Sequence, residues 1–127
     1  MCKPIFYKSK HCENLAVLLQ GGEKEMSCCG EPMTRLEANT SEGASEKHLP
    51  VVKKEGDKIH VQVGSVSHPM SEEHSIQWIY LATRQGGQIK QLESHQLPEA
   101  CFTVCGGDEP LEAYAWCNLH GLWKTKI

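Results

Sequence analysis

The sequence predicts an all-β chain. Several short segments alternate apolar and polar residues with the two-residue period of strands, and turn residues separate them at intervals suited to a sandwich or barrel. No segment shows a helical stripe with caps. The first part, Met1 to about Leu36, holds four of the seven cysteines, the short apolar run Leu15-Ala16-Val17-Leu18-Leu19, a Gly21-Gly22 break and then Met26-Ser27-Cys28-Cys29-Gly30. So few residues rarely supply a sufficient core, so a small metal-stapled hairpin unit is expected over residues 1–36. Glu37 to Ser45 is polar and reads as the connection to a second domain over residues 37–127. There, Lys58 to Val66 places Ile59, Val61 and Val63 on one face and His60 and Gln62 on the other. Ser75 to Thr83 sets Ile76, Trp78 and Tyr80 against Ile79 and Leu81, apolar on both faces as in a central strand. Phe102-Thr103-Val104 and Leu111 to Trp116 are further strands, and two packed sheets are the expected architecture.

Composition narrows the function. At 127 residues, 39% hydrophobic and 23% charged, the chain has material for one compact core and excludes a large multi-domain enzyme. Its formal charge of -3 gives no global field toward nucleic acid or an anionic membrane. No apolar run reaches the ~18 residues needed to span a bilayer, and Met1-Cys2-Lys3-Pro4 lacks the apolar stretch of a secretory signal, so a cytoplasmic location is expected. Seven cysteines are an odd number, and Cys28 and Cys29 are adjacent and pair poorly with each other, which favours thiolates for metal over a disulfide framework. The pairs Gly21-Gly22, Gly86-Gly87 and Gly106-Gly107 lack the lysine and helix of a phosphate loop and read as turns.

Four fragments place potential metal ligands at the ends of predicted strands: Glu46-Lys47-His48-Leu49-Pro50, His68-Pro69-Met70, Glu73-His74-Ser75 and Cys117-Asn118-Leu119-His120. The C-x-x-H spacing of Cys117 and His120 puts a thiolate and an imidazole within one turn. Pro50 and Pro69 favour extended backbone at Leu49 and His68 and so limit where those loops reach. His60 reads as a surface strand residue and His95 as an exposed loop residue. Cys101 and Cys105 read as buried free thiols in a strand and its edge. Trp78, Trp116 and Trp123 read as core or site-shielding aromatics.

In order and spacing, Glu46-Lys47-His48, Gly64-Ser65-Val66-Ser67-His68-Pro69-Met70, His74-Ser75-Ile76-Gln77-Trp78-Ile79 and Cys117-Asn118-Leu119-His120-Gly121-Leu122-Trp123-Lys124 resemble the superoxide reductase family. The cysteine-bearing first unit resembles the desulforedoxin-like domain of its desulfoferrodoxin branch. The resemblance implies an immunoglobulin-like β-sandwich in which His48, His68, His74 and His120 surround one iron ion in a plane, with Cys117 axial and one face open to substrate. It implies one-electron reduction of superoxide to hydrogen peroxide, a small electron donor such as rubredoxin, and a homodimer. The chemistry of the residues is consistent: imidazole with thiolate suits iron, zinc or copper, and five ligands exceed the four of a closed structural zinc site. The readings from other classes are a non-catalytic zinc-binding module and an electron-transfer iron protein.

Lys47 is the candidate for a local positive charge at the open face. At ~6 Å from a superoxide anion and an effective dielectric of ~20, its charge is worth roughly 3 kcal/mol before screening by salt. The expected catalytic pair is therefore Lys47, which attracts superoxide while a water delivers the proton, and Glu46, which by resemblance binds the oxidised iron once product has left. In the first unit, Tyr7-Lys8-Ser9-Lys10-His11-Cys12 has Ser9 where the branch carries a cysteine, leaving Cys12, Cys28 and Cys29. A neutral hydroxyl is a poor, hard ligand beside three soft thiolates, so the second iron is expected to be lost unless Cys2 or His11 substitutes.

Overall fold

The computed structural model describes residues 3–127; Met1 and Cys2 lie outside the described residues. The chain divides into two compact units, Met1–Glu37 and Ala38–Ile127. In the first, β1 (Ile5–Lys8), β2 (Leu15–Leu18), β3 (Ser27–Cys28), β4 (Glu31–Pro32) and β5 (Thr34–Arg35) are all short. They form a three-stranded antiparallel sheet in the order β2-β1-β5 and a separate β3-β4 hairpin. Phe6 and Tyr7 are the buried apolar side chains of this unit, a core too small to do much by itself.

The second unit begins with α1 (Ser45–His48), a single helical turn, followed by β6 (Pro50–Glu55), β7 (Lys58–Val63), β8 (Ile76–Thr83), β9 (Gly86–Gln91), β10 (Glu99–Thr103), β11 (Pro110–Cys117) and β12 (Gly121–Lys126). Seven antiparallel strands form two sheets, in the orders β10-β7-β6 and β12-β11-β8-β9. This is an all-β, immunoglobulin-like sandwich. The core lies between the sheets: Ile59, Val61 and Val63 of β7 with Ala100 and Phe102 of β10 meet Ile76, Ile79, Leu81, Ala113, Ala115 and Cys117 from β8 and β11. The alternation on β7 is that of its sequence, and each fully buried branched side chain contributes roughly 1.5–3 kcal/mol.

Several sequence expectations are corrected here. Ile76 does not share the face of Trp78. A register shift pairs Cys117 with Ile76 but Trp116 with Trp78, so Gln77 is the extra residue of a bulge and Ile76 turns into the core with Ile79. Gly86-Gly87 is not the turn but the start of β9; Gly87 leaves room for the Tyr80 ring, which a side chain there would strike. Cys101 and Cys105 are exposed rather than buried, because the inward positions beside Cys101 are taken by Ala100 and Phe102. Glu46, Lys47 and His48 lie on α1 rather than on a loop. The readings of His60 and His95 agree with the structure: His60 lies on β7 with its imidazole 3.8 Å from the Glu99 carboxylate, and His95 is exposed with φ at 69°.

α1 is seated by a close backbone approach at Gly64. A Cβ there would lie 2.6 Å from the Glu46 carbonyl oxygen and 2.9 Å from the Lys47 carbonyl carbon, both of them backbone atoms. The segment is further tied by Val66 N–H and Ser65 Oγ–H, which donate to the Glu46 carbonyl at 2.8 and 3.2 Å. Gly64→Ala is therefore expected to push α1 outward, destabilising the sandwich by about 1–3 kcal/mol and lowering the thermal midpoint by roughly 5–20 °C. Thermal melts followed by circular dichroism measure this.

Candidate metal centre

Five side chains converge at one end of the sandwich. The ligating atoms of His48, His68, His74, Cys117 and His120 all lie within 4.8 Å of one another. They arrive from four places: the end of α1, the loop after β7, the segment before β8, and the β11–β12 turn, whose Cys117 is the last residue of β11. The imidazoles close a ring in the order His48, His68, His74, His120. Neighbouring centroids are 4.7, 4.7, 5.0 and 4.9 Å apart, and each pair meets edge to face.

The rings are aimed by their second nitrogens. His48 Nδ1–H donates to the Ala44 carbonyl at 2.7 Å and His68 Nδ1–H to the Pro69 carbonyl at 2.6 Å. A carbonyl only accepts, so both protons sit on Nδ1 and both Nε2 atoms present lone pairs. Those two Nε2 atoms nevertheless face each other at 3.2 Å, and His48 Nε2 lies 3.2 Å from His120 Nδ1. His74 Nε2 is buried with no hydrogen-bond partner. Lone pairs pointed at one another and a buried orphan nitrogen are costly arrangements that a shared cation relieves. The donor set thus fits a metal ion.

Supporting residues fix the two less buried ligands. Asn118 accepts from Ser75 N–H at 3.0 Å and donates to the Glu73 carbonyl at 2.9 Å, clamping both neighbours of His74. The Ser71 hydroxyl accepts from His74 N–H at 3.1 Å. Trp123 stacks on His48 at 4.8 Å with 24° between planes, and its indole N–H donates to the His120 carbonyl at 3.0 Å. His120 N–H points at Cys117 Sγ at 3.4 Å. Sequence reasoning placed Trp123 only as a core or shielding aromatic and gave Asn118 no part, although both lie inside the quoted Cys117 to Lys124 fragment. Gly43 was also missed; a Cβ there would press on His48 at 3.1 Å and on Trp123 at 3.3 Å.

Burial, the largest cause in each case, pushes the His48, His68 and His74 imidazoles below their ordinary range, His68 to about 4. They are neutral near pH 7, the state in which imidazole binds metal. Burial pushes the Cys117 thiol up, partly opposed by the Leu119 and His120 amides, so a cation is needed to hold it as thiolate at neutral pH. Glu46 and Lys47 are exposed on α1. The Lys47 charge is one of the lesser influences lowering His48 and His74, which puts it within electrostatic reach of the cluster, and Glu46 raises His48.

In the first unit, Cys12, Cys28 and Cys29 also bring their sulfurs together. Ser9 is buried, and its hydroxyl accepts from His11 N–H at 3.1 Å and Cys12 N–H at 3.3 Å. His11 does not join them: its Nε2 pairs with Glu31 at 2.6 Å. Cys2 lies outside the described residues.

A β-sandwich that gathers four imidazoles and one thiol at a single point defines a mononuclear metalloprotein with mixed nitrogen and sulfur ligation. The desulfoferrodoxin family model matches residues 40–126. A desulfoferrodoxin of Syntrophotalea carbinolica is 47% identical over 120 residues, covering 94% of each chain. A superoxide reductase of Pyrococcus horikoshii is 34% identical over 99 residues, covering 65% of this chain and 86% of its own. The crystal structure of the superoxide reductase from Treponema pallidum superposes with a TM-score of 0.84 at 38% identity, covering 98% of this chain and all of the other. This chain belongs to the desulfoferrodoxin family.

Replacing Trp123 tests the aiming of the ligands. Trp123→Leu loses both the stack and the hydrogen bond and should weaken metal affinity about 10–100-fold; Trp123→Phe, which keeps a stacking ring, should lose less. Competition with a chromophoric chelator gives both values.

Proposed function

We propose that the protein is a superoxide reductase, converting superoxide and one electron, with two protons, into hydrogen peroxide without forming oxygen. The observation that carries this reading is the closed ring of four imidazoles beside the Cys117 sulfur, five donors where a closed structural zinc site takes four. His48, His68, His74, His120 and Cys117 hold one iron ion per chain. Iron held there supplies the single electron and a place for superoxide to bind. His48 and His68 keep their Nδ1 protons on carbonyls and present a fixed lone pair from Nε2, so neither ring would have to turn to hold the ion. Cys117, buried among the core residues of β11, supplies a thiolate shielded from solvent oxidants.

Lys47 and Glu46 are the residues of α1 that meet the substrate side. Lys47 attracts the superoxide anion, and a water carries the proton toward product. Glu46 would offer its carboxylate to an oxidised iron held by the cluster once product has left. Support for both roles comes from their place one and two residues before His48 and from the reach of the Lys47 charge to His48 and His74. The electron comes from a small protein of the rubredoxin type, and the chain pairs as a homodimer, as the kinship suggests. Among the described residues no helix is long and apolar enough to cross a membrane. The six described cysteines are free, which suits a reducing compartment, and we place the protein in the cytoplasm. The first unit is a desulforedoxin-like domain without its iron, because Ser9 offers a hydroxyl where a fourth thiolate is required and His11 is engaged by Glu31.

Metal analysis should return one iron per chain, with a visible thiolate-to-iron absorption in the oxidised protein that bleaches on reduction. Cys117→Ser should abolish that band. Bound zinc with no such band would make the protein a structural metal module instead. Lys47→Ala should slow the second-order reaction with superoxide by about tenfold and flatten its salt dependence, since the steering is electrostatic. Pulse radiolysis across an ionic-strength series measures both.

A further inference from the structure

Three thiols of the first unit take no part in the chemistry above. Cys12 follows β1, whereas Cys28 and Cys29 belong to the β3–β4 hairpin, so the fold joins sulfurs sixteen residues apart. Cys12 Sγ lies 3.9 Å from Cys28 Sγ, and Cys28 Sγ lies 3.8 Å from Cys29 Sγ. Asn14 serves the first pair from both ends: its backbone N–H points at Cys12 Sγ and its Nδ2 at Cys28 Sγ, each at 3.4 Å. N–H donors aimed at sulfur stabilise thiolate charge, and thiolate is the nucleophilic form. Cys12 and Cys28 are half-buried and Cys29 is exposed, so a small neutral oxidant can reach them.

We propose that Cys28 and Cys12 form a dithiol that reduces hydrogen peroxide, the product of the reaction assigned to the other unit. The proposal rests on that assignment and on the absence of iron from the three thiols. Cys28 sulfur attacks one peroxide oxygen and the O–O bond breaks. The departing hydroxide takes up the proton Cys28 had given to solvent and leaves as water, and Cys28 becomes a sulfenic acid. The Cys12 thiol then attacks that sulfur; the S–O bond breaks, an S–S bond forms and a second water leaves. Two thiols have lost two electrons and one peroxide has become two waters. Closing the pair from 3.9 Å to the ~2.05 Å of a disulfide asks for under ~2 Å of side-chain movement. Cys28 with Cys29 would close a strained ring across one peptide bond, so Cys12 is the resolving partner. An external dithiol restores the pair by exchange.

Full-length, iron-loaded protein with reduced thiols is treated with hydrogen peroxide added directly, alkylated at intervals and mapped by peptide mass spectrometry. A Cys12–Cys28 disulfide, reversed by dithiothreitol, should form about tenfold or more faster than any oxidation of the exposed Cys101 and Cys105 in the same chain. Cys12→Ser should instead accumulate a sulfenic acid on Cys28 that dimedone traps, and Cys29→Ser should still form the disulfide. Oxidation of the three thiols no faster than at Cys101 and Cys105 overturns the proposal. So does a second metal ion that masks all three thiols until a chelator removes it. Because peroxide is supplied directly, failure here counts against the dithiol alone, whereas loss of the superoxide reaction with rapid disulfide formation counts against the parent assignment alone.

Discussion

Lone pairs that meet at one point repel, and the fold holds the Nε2 atoms of His48 and His68 in that condition, 3.2 Å apart, with His74, His120 and Cys117 gathered beside them. His48 and His68 cannot turn their Nε2 atoms away without giving up hydrogen bonds to the Ala44 and Pro69 carbonyls. His74 leaves Nε2 buried and unpartnered. The cost is sustained by elements that are stable for other reasons. β7 and β11 are anchored in the core by Val61, Val63, Ala113 and Ala115, and the ligand-bearing loops start from their ends. A cation at the meeting point converts the repulsion into attraction, so the free energy of binding metal is also free energy of folding for this end of the sandwich.

The strands were legible where burial imposes a strict period. β7 reads directly from Ile59, Val61 and Val63 because one face is core and the other is not. β8 was recognised as central from its two apolar faces, yet the face of Ile76 was misassigned, since one bulged residue inverts everything on its far side and leaves no mark in composition. β9 was hidden for a different reason. Gly86 and Gly87 carry the signature of a turn, but the second glycine is there to admit a tyrosine ring, a tertiary demand that local propensity does not encode. The same blindness applies to Cys101: a cysteine is apolar enough to suggest burial, and only the pairing of β10 with β7 shows that its neighbours Ala100 and Phe102 hold the inward positions.

The candidate site was legible to the extent that ligands must be imidazole or thiolate. His48, His68, His74, Cys117 and His120 stood out by residue type and by their place at strand ends. What aims them did not. Backbone carbonyls such as that of Ala44 have no side-chain signature. The clamp by Asn118 spans from the β11–β12 turn to the residues flanking His74, and the stack of Trp123 on His48 joins residues from opposite ends of the unit. Gly43 and Gly64 work by leaving space, which a sequence states only as an ordinary glycine.

The chain also shows how environment divides the work of one residue type. Cys117 sits in the core, where burial raises its thiol and only a cation makes it a thiolate; once bound, it is shielded from oxidants. At Cys28 the Asn14 hydrogen bond, followed by that of Ser9, holds the thiol below its usual range, while Cys29 is pushed up, first through its hydrogen bond to Cys28. Charge is therefore favoured on the Cys28 sulfur and disfavoured on the Cys29 sulfur. Four thiolates would share a soft cation and neutralise one another through it. With Ser9 in the fourth place there are three sulfurs rather than four, and Cys28 Sγ lies 3.9 Å from Cys12 Sγ, a pairing from which a disulfide can form.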